Sequence, residues 1–263
     1  MINVAIAGAT GWTGGPLSRA VMESEDLDLV AAVARTTAGQ DLGEVLDGER
    51  TGVPIFAEVA DALASADVLV DFTSHESVQA HVMTAVEYGV NVVIGTSGLT
   101  GEDFTEIDSA ARLRGVGVVA AGNFSLSAAM VQAAALLAAR YIPHWEVIDY
   151  ASATKADVPS GTSRELAERL ASVRRPELGR SLADTAGPIE ARGATVDGVQ
   201  IHSVRLPSFV VSTEVVFGLE DERLVLRHDA GGTPAPYVMG TLLAIRRVGE
   251  YVGVVRGLDQ LLT

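Results

Sequence analysis

The most constraining feature lies at the very start. An apolar run, Ile2–Ala7, passes at once into Gly8-Ala9-Thr10-Gly11-Trp12-Thr13-Gly14-Gly15, and helical spacing follows from Pro16 to Glu23. Gly8, Gly11 and Gly14 fit G-x-x-G-x-x-G between a strand and a helix. The first glycine permits a tight turn, and the later ones let backbone approach a pyrophosphate. The helix start then offers N–H donors and a partial positive charge. Such a turn opens a βαβ unit with a parallel sheet, and it predicts that Gly8, Ala9, Thr10, Gly11, Trp12 and Thr13 line a dinucleotide site.

The next segments keep the alternation. Leu27–Ala34, Val68–Phe72, Val90–Ile94 and Val116–Ala121 read as strands, with helices at Val59–Ala64, Ser77–Tyr88 and Gly101–Arg114 between them. The end of the second strand bears on the cofactor. An acid there would hold the ribose hydroxyls of NAD, but this chain has Arg35, Thr36 and Thr37. A guanidinium flanked by hydroxyls suits a 2′-phosphate, so the expected cofactor is NADPH, with NADH a weaker possibility. Loops after three later strands supply further candidates at the carboxyl edge of the sheet: Phe72 and Thr73; Gly95, Thr96 and Ser97; Ala121, Asn123 and Phe124.

After Asn123 the texture changes. Leu126–Arg140 is a long Ala-rich helix, Trp145–Tyr150 a strand and Ser163–Leu170 a helix. Pro176–Gly198 reads as an exposed or partly ordered excursion. Val199–Arg205, Val210–Gly218 and Arg223–Asp229 are spaced as an antiparallel meander, and Tyr237–Val248 is a closing helix before a short apolar tail. The fold class is α/β. A dinucleotide-binding domain of the Rossmann type spans 1–123, and an α+β domain with a mixed or antiparallel sheet spans 124–232. The segment 233–263 returns to the first domain.

Composition narrows the partners. The 263 residues carry a net charge of −15, which disfavours nucleic acid, and contain no cysteine, which excludes disulfides and thiolate chemistry. No apolar run reaches membrane-spanning length, and the N-terminus does not look like a signal peptide, so a cytoplasmic protein is expected. Lys155 is the only lysine, and an arginine bias of this kind reflects genome composition. The lysine that persists stands five residues before Ser160-Gly161-Thr162, a helix start whose N–H groups and hydroxyls suit a carboxylate.

These residues carry a resemblance. VAIAGATGWTG, DVLVDFT, VVIGTSGL, AAGNFS, KADVPSGT and IHSVR run through nearly the whole chain in the pattern of the dihydrodipicolinate reductase family. KADVPSGT is close to that family's K-x-D-A-P-S-G-T. The resemblance implies hydride transfer from NAD(P)H to a cyclic imine, and a substrate domain whose sheet builds a homotetramer, with a dimer the other homo-oligomer to consider. It makes Lys155 the group that hydrogen-bonds the substrate or donates a proton, and Ser160, Gly161 and Thr162 the carboxylate-binding residues.

The chain also departs from the pattern. Where the family carries E-x-H-H-x-x-K, this sequence reads Asp149-Tyr150-Ala151-Ser152-Ala153-Thr154-Lys155, so both histidines are gone. A family His in a later strand corresponds to Glu214, and an Arg near a Ser-Ser pair gives way to Gly231-Gly232-Thr233. Each change removes a cation or donor from where a dicarboxylate would sit. The expectation drawn from them is an imine reductase with the family's cofactor chemistry and an altered substrate. Two alternatives stand beside it: the lysine-biosynthesis reaction on 4-hydroxy-tetrahydrodipicolinate itself, and a non-catalytic NADPH-binding sensor. Tyr150 and His75 are substitute polar groups to weigh, whereas His202 suits a structural role.

Overall fold

The computed structural model describes residues 1–262. It divides into two compact units: Met1–Leu126 with the segment from Pro234 onward, and Ser127–Thr233.

In the first unit β1 (Ile2–Ala7), α1 (Gly14–Met22), β2 (Leu27–Val33), α2 (Leu42–Asp47), β3 (Ile55–Phe56), α3 (Val59–Ala62), β4 (Val68–Asp71), α4 (Val78–Glu87), β5 (Asn91–Ile94), α5 (Gly101–Arg114) and β6 (Gly117–Ala120) follow in turn. With β12 (Gly253–Arg256) the strands form a seven-stranded sheet in the order β12-β6-β5-β4-β1-β2-β3, parallel throughout. The central strands are buried on both faces, as continuous Val/Ile/Leu runs require. Val78, Val82, Ala85 and Val86 of α4 pack with Ile107 and Ala111 of α5 on one side of that sheet. Thr100 starts α5 with a capping box, its hydroxyl accepting from Asp103 N–H while the Asp103 carboxylate accepts from Thr100 N–H.

In the second unit α6 (Leu126–Ala139) leads into β7 (His144–Ala151), α7 (Gly161–Val173), β8 (Ala194–Val196), β9 (Val199–Arg205), β10 (Val211–Leu219) and β11 (Glu222–Asp229). Their sheet runs β11-β10-β7-β9-β8. Of the meander expected for the last three strands only the antiparallel β10–β11 hairpin forms. Strand β7 lies between β9 and β10, parallel to the first and antiparallel to the second. The register explains the insertion: Val147 pairs with Ile201 on one side and Val215 on the other, so three buried apolar side chains share one row. Spacing along the chain cannot reveal a strand inserted from elsewhere.

Three strands escaped the sequence reading altogether, the two-residue β3 among them. β8 joins β9 through Asp197-Gly198, both at positive φ, inside the stretch read as an excursion. The apolar tail after α8 (Ala235–Arg247) contains β12 (Gly253–Arg256), which pairs parallel to β6.

Candidate active site

The glycine turn is built as its spacing demands. Gly8 has φ +81°, and a Cβ there would fall 2.4 Å from the Phe72 carbonyl oxygen; one at Gly14 would fall 2.0 Å from the Gly8 carbonyl oxygen. The turn therefore closes only with glycine at both places. Gly14→Ala is expected to cost about 1–3 kcal/mol through forced repacking, read as a lower Tm together with weakened nicotinamide cofactor binding. Thr13 precedes α1 without capping it through its side chain. Ala9 is fully buried, Thr10 is half-buried and Gly11 is exposed. The exposed Trp12 ring stands edge-on to Tyr237, 6.1 Å between centroids.

At the end of β2, Arg35 and Thr36 are exposed, and the shielded Thr37 hydroxyl has no hydrogen-bond partner. A glycine cradle, an exposed guanidinium and an orphaned hydroxyl on one sheet edge are a donor set that fits a phosphorylated dinucleotide.

Beyond β4 and β5 the structure changes the meaning of the predicted hydroxyls. Thr73 and Thr96 do not stand open. Thr73 donates to Asp71 Oδ1 from its N–H (3.0 Å) and its hydroxyl (2.7 Å), and the Thr96 hydroxyl donates to the same oxygen at 2.6 Å. His81 Nδ1 lies 2.8 Å from the other oxygen. The fully buried Asp71 thus ties the β4 and β5 loops together. Burial pushes its carboxyl upward, but the bonds from His81, Thr96 and Thr73 outweigh this and hold it below the usual range.

That direction fixes a pH dependence. A depressed carboxylate contributes stability in full above its unfolded pKa, about 3.9, and loses it as pH falls through the lower folded value. Asp71→Asn is expected to lower Tm at neutral pH, with the gap from wild type narrowing below about pH 4. A gap independent of pH would contradict the reading.

Gly95 lets the Phe72 ring lie flat against the chain, since a Cβ would come 2.0 Å from Phe72 Cε1. Phe72 in turn stacks edgewise on Phe124, centroids 5.9 Å apart. Ala121 and Phe124 are buried, so their side chains pack rather than face a ligand. Ser97 is exposed, and Asn123 caps its own turn by accepting from Ser125 N–H at 2.8 Å. His75 is exposed and packed against Gly98.

The second cluster surrounds Lys155. Alternation along β7 puts Trp145, Val147, Asp149 and Ala151 on the buried face. A carboxylate in that row is costly unless fully bonded, and Asp149 is. It accepts from Ser160 N–H (3.0 Å), Ser160 Oγ (2.6 Å), Ser163 Oγ (3.1 Å), Ser203 Oγ (3.1 Å) and Arg205 Nη2 (2.7 Å). Burial pushes the Asp149 carboxyl up; the bonds from Ser160 and Arg205 prevail and hold it below the ordinary range. Ser160 also caps α7, accepting from Ser163 N–H at 3.4 Å. Its N–H and its hydroxyl are both committed to Asp149. Ser160 thus fixes the frame of the α7 start.

Lys155 is about one-third exposed, and its Nζ lies 2.8 Å from Asp157 Oδ1. Where the family has its histidines, Ala151 is buried in the β7 row and the Ser152 hydroxyl lies 3.0 Å from that of Thr154. Tyr150 points to the other sheet face. Its hydroxyl donates to Glu214 at 3.3 Å, and burial, with Glu214 beside it, raises its pKa, so it is a poor acid. Its ring stacks on Phe209, 5.0 Å between centroids, under the Arg227 guanidinium. Trp145 is core, and His202 is held 2.6 Å from Glu146.

That outer face holds a cavity of about 900 Å³, lined by Glu146, Ile148, Arg192, His202, Val216 and Leu219 among others. None of the Lys155 motif lines it. Asp149, Arg205, Asp71 and Asp157 were missed as organising groups. The available signal was an acid on the apolar row of a strand, followed within fourteen residues by serines at a helix start.

Comparison with known proteins decides the family. The model of the dihydrodipicolinate reductase N-terminus matches residues 2–124, and that of its C-terminus matches residues 122–262. The chain belongs to the dihydrodipicolinate reductase family. It is 42% identical over 266 residues to 4-hydroxy-tetrahydrodipicolinate reductase of Moorella thermoacetica, covering 99% of this chain and 98% of the relative. The same-named protein of Rippkaea orientalis is 36% identical over 271 residues, covering 100% of this chain and 98% of the relative. Among solved structures, dipicolinate-bound dihydrodipicolinate reductase from Paenisporosarcina sp. TG-14 superposes with a TM-score of 0.82 at 33% identity, covering 99% of each chain. The amine dehydrogenase of Mycobacterium smegmatis shares the fold alone, at TM-score 0.67 and 17% identity over 97% of this chain and 94% of that one. As a dihydrodipicolinate reductase family member the chain is an oxidoreductase that uses a nicotinamide cofactor. No described helix is long and apolar enough to cross a membrane.

Proposed function

We propose that this protein reduces 4-hydroxy-tetrahydrodipicolinate with NADPH, using Lys155 at the substrate. The observation that carries the proposal is that Lys155 Nζ lies 2.8 Å from the Asp157 carboxylate, five residues ahead of the Ser160 that caps α7. A donor already placed beside an anion suits a substrate carboxylate. Full-length similarity to relatives named for this reaction supports the lysine-pathway substrate over the altered one expected from the sequence.

Bound cofactor supplies the hydride. Hydride addition to a C=N carbon leaves nitrogen in need of a proton, and the Lys155 ammonium either gives that proton or holds the carboxylate beside it. Asp149 fixes the α7 start through Ser160, and Arg205 Nη2 fixes the loop by also donating to the Asp157 carbonyl at 2.8 Å.

Arg35 is assigned to the 2′-phosphate. Arg35→Ala is expected to raise KM for NADPH at least tenfold, the scale of one charge-assisted bond, and to leave KM for NADH unchanged. A wild-type kcat/KM higher with NADH than with NADPH would overturn the assignment.

One observation favours a second reading. Ala151 and Ser152 supply no cation where the family has two histidines. A cyclic imine with fewer carboxylates would then be the better substrate. Offering the purified protein NADPH with the dicarboxylate and with simple cyclic imines separates the two: the proposal requires the higher kcat/KM for the dicarboxylate. We assign subunit pairing, in a cytoplasmic homo-oligomer, to the outer sheet face, where the edge strand β11 exposes Val225 beside Val216.

A further inference from the structure

From the geometry around Lys155 we infer that Asp157 is a built-in competitor for the substrate carboxylate and sets how strongly the site discriminates by charge. The inference rests on the functional reading above and deepens it. The Asp157 carboxylate lies 2.8 Å from the chain's only lysine nitrogen, so it holds the cation that an incoming carboxylate needs.

Its backbone and its side chain are under different constraints. The Asp157 carbonyl is clamped by Arg205 Nη2 at 2.8 Å, and that nitrogen is itself held 2.7 Å from the buried Asp149 carboxylate. The Asp157 side chain is 45% exposed, so it can rotate away while the loop stays in place. Two carboxylates cannot share one ammonium without like-charge repulsion. Asp149 and Arg205 are already paired with each other, so neither offsets an added negative charge. A dicarboxylate must therefore displace Asp157 from Lys155, whereas an uncharged ring need not. With Ala151 and Ser152 in place of the histidines, no second cation at those positions eases the exchange.

The test is calorimetric titration of dipicolinate, picolinate and pyridine into wild type and Asp157→Asn. The amide keeps the shape and an acceptor oxygen but loses the charge. Dipicolinate is expected to bind the variant about two- to fivefold more tightly, the scale of a partly exposed ion pair. Picolinate should gain less, and pyridine nothing. Equal or weaker dipicolinate binding by the variant overturns the competitor role, while the functional reading stands if the dicarboxylate imine is still turned over. Absence of dipicolinate binding by both proteins, with turnover of simple imines only, overturns both. Asp157→Ser provides the same comparison should the Asn variant fail to fold.

Discussion

Lys155→Ala is expected to lower kcat for the dicarboxylate imine by about 10²–10⁴, the span for loss of a positioned proton donor. Affinity for NADPH should stay within about twofold, because Lys155 belongs to the second compact unit and the glycine turn and Arg35 to the first. The effect is large because nothing nearby can take over. Tyr150 is turned to the opposite face and bonded to Glu214, and the two positions before Ala153 are Ala151 and Ser152. Lys155→Arg separates the two roles of the lysine. A guanidinium keeps the charge but does not release a proton at neutral pH. Recovery of KM without recovery of kcat would assign Lys155 to proton donation; recovery of both would assign it to carboxylate binding. Transient kinetics of NADPH oxidation together with a direct NADPH titration reads all of these quantities.

Asp149→Ala is the second large effect. Removing one partner of a buried ion pair costs about 3–5 kcal/mol, because the other is left uncompensated. Here the partner is Arg205, whose side chain is only 16% exposed and whose Nε is already shielded and unpartnered. The serine hydroxyls at 160, 163 and 203 lose their acceptor as well. The urea midpoint should fall sharply. Where the variant still folds, substrate KM should rise with NADPH affinity retained, since Ser160 and Arg205 no longer hold the α7 start and the Asp157 carbonyl. An unchanged midpoint would mean that Asp149 is not the centre of that network.

The sequence showed local structure well and long-range pairing poorly. The strand–glycine–helix opening was readable because all its determinants sit within sixteen residues. The insertion of β7 between β9 and β10 was hidden, because pairing depends on which buried rows meet and not on order along the chain. β8 carried an Asp-Gly turn, a usable hairpin signal, inside a stretch whose Gly, Arg and acid content read as loop. In the candidate site, the motif exposed Lys155 and Ser160-Gly161-Thr162. What it concealed was division of labour. Ser160, Thr73 and Thr96 look like ligand-binding hydroxyls, yet each donates to a buried carboxylate that only folding brings near. Asp149 left only a faint sign, an acid on an apolar row ahead of helix-start serines, and Asp71 left none, because a lone acid at a strand end says nothing of its donors until those donors are placed.

The central claim is that Lys155 and the α7 start accept a dicarboxylate imine for reduction without the histidine pair. Steady-state turnover of 4-hydroxy-tetrahydrodipicolinate by the purified protein with NADPH, beside Lys155→Ala, tests it most directly. Turnover by wild type and near-complete loss in the variant are expected. Turnover of carboxylate-free cyclic imines alone, or equal rates in both proteins, would contradict it.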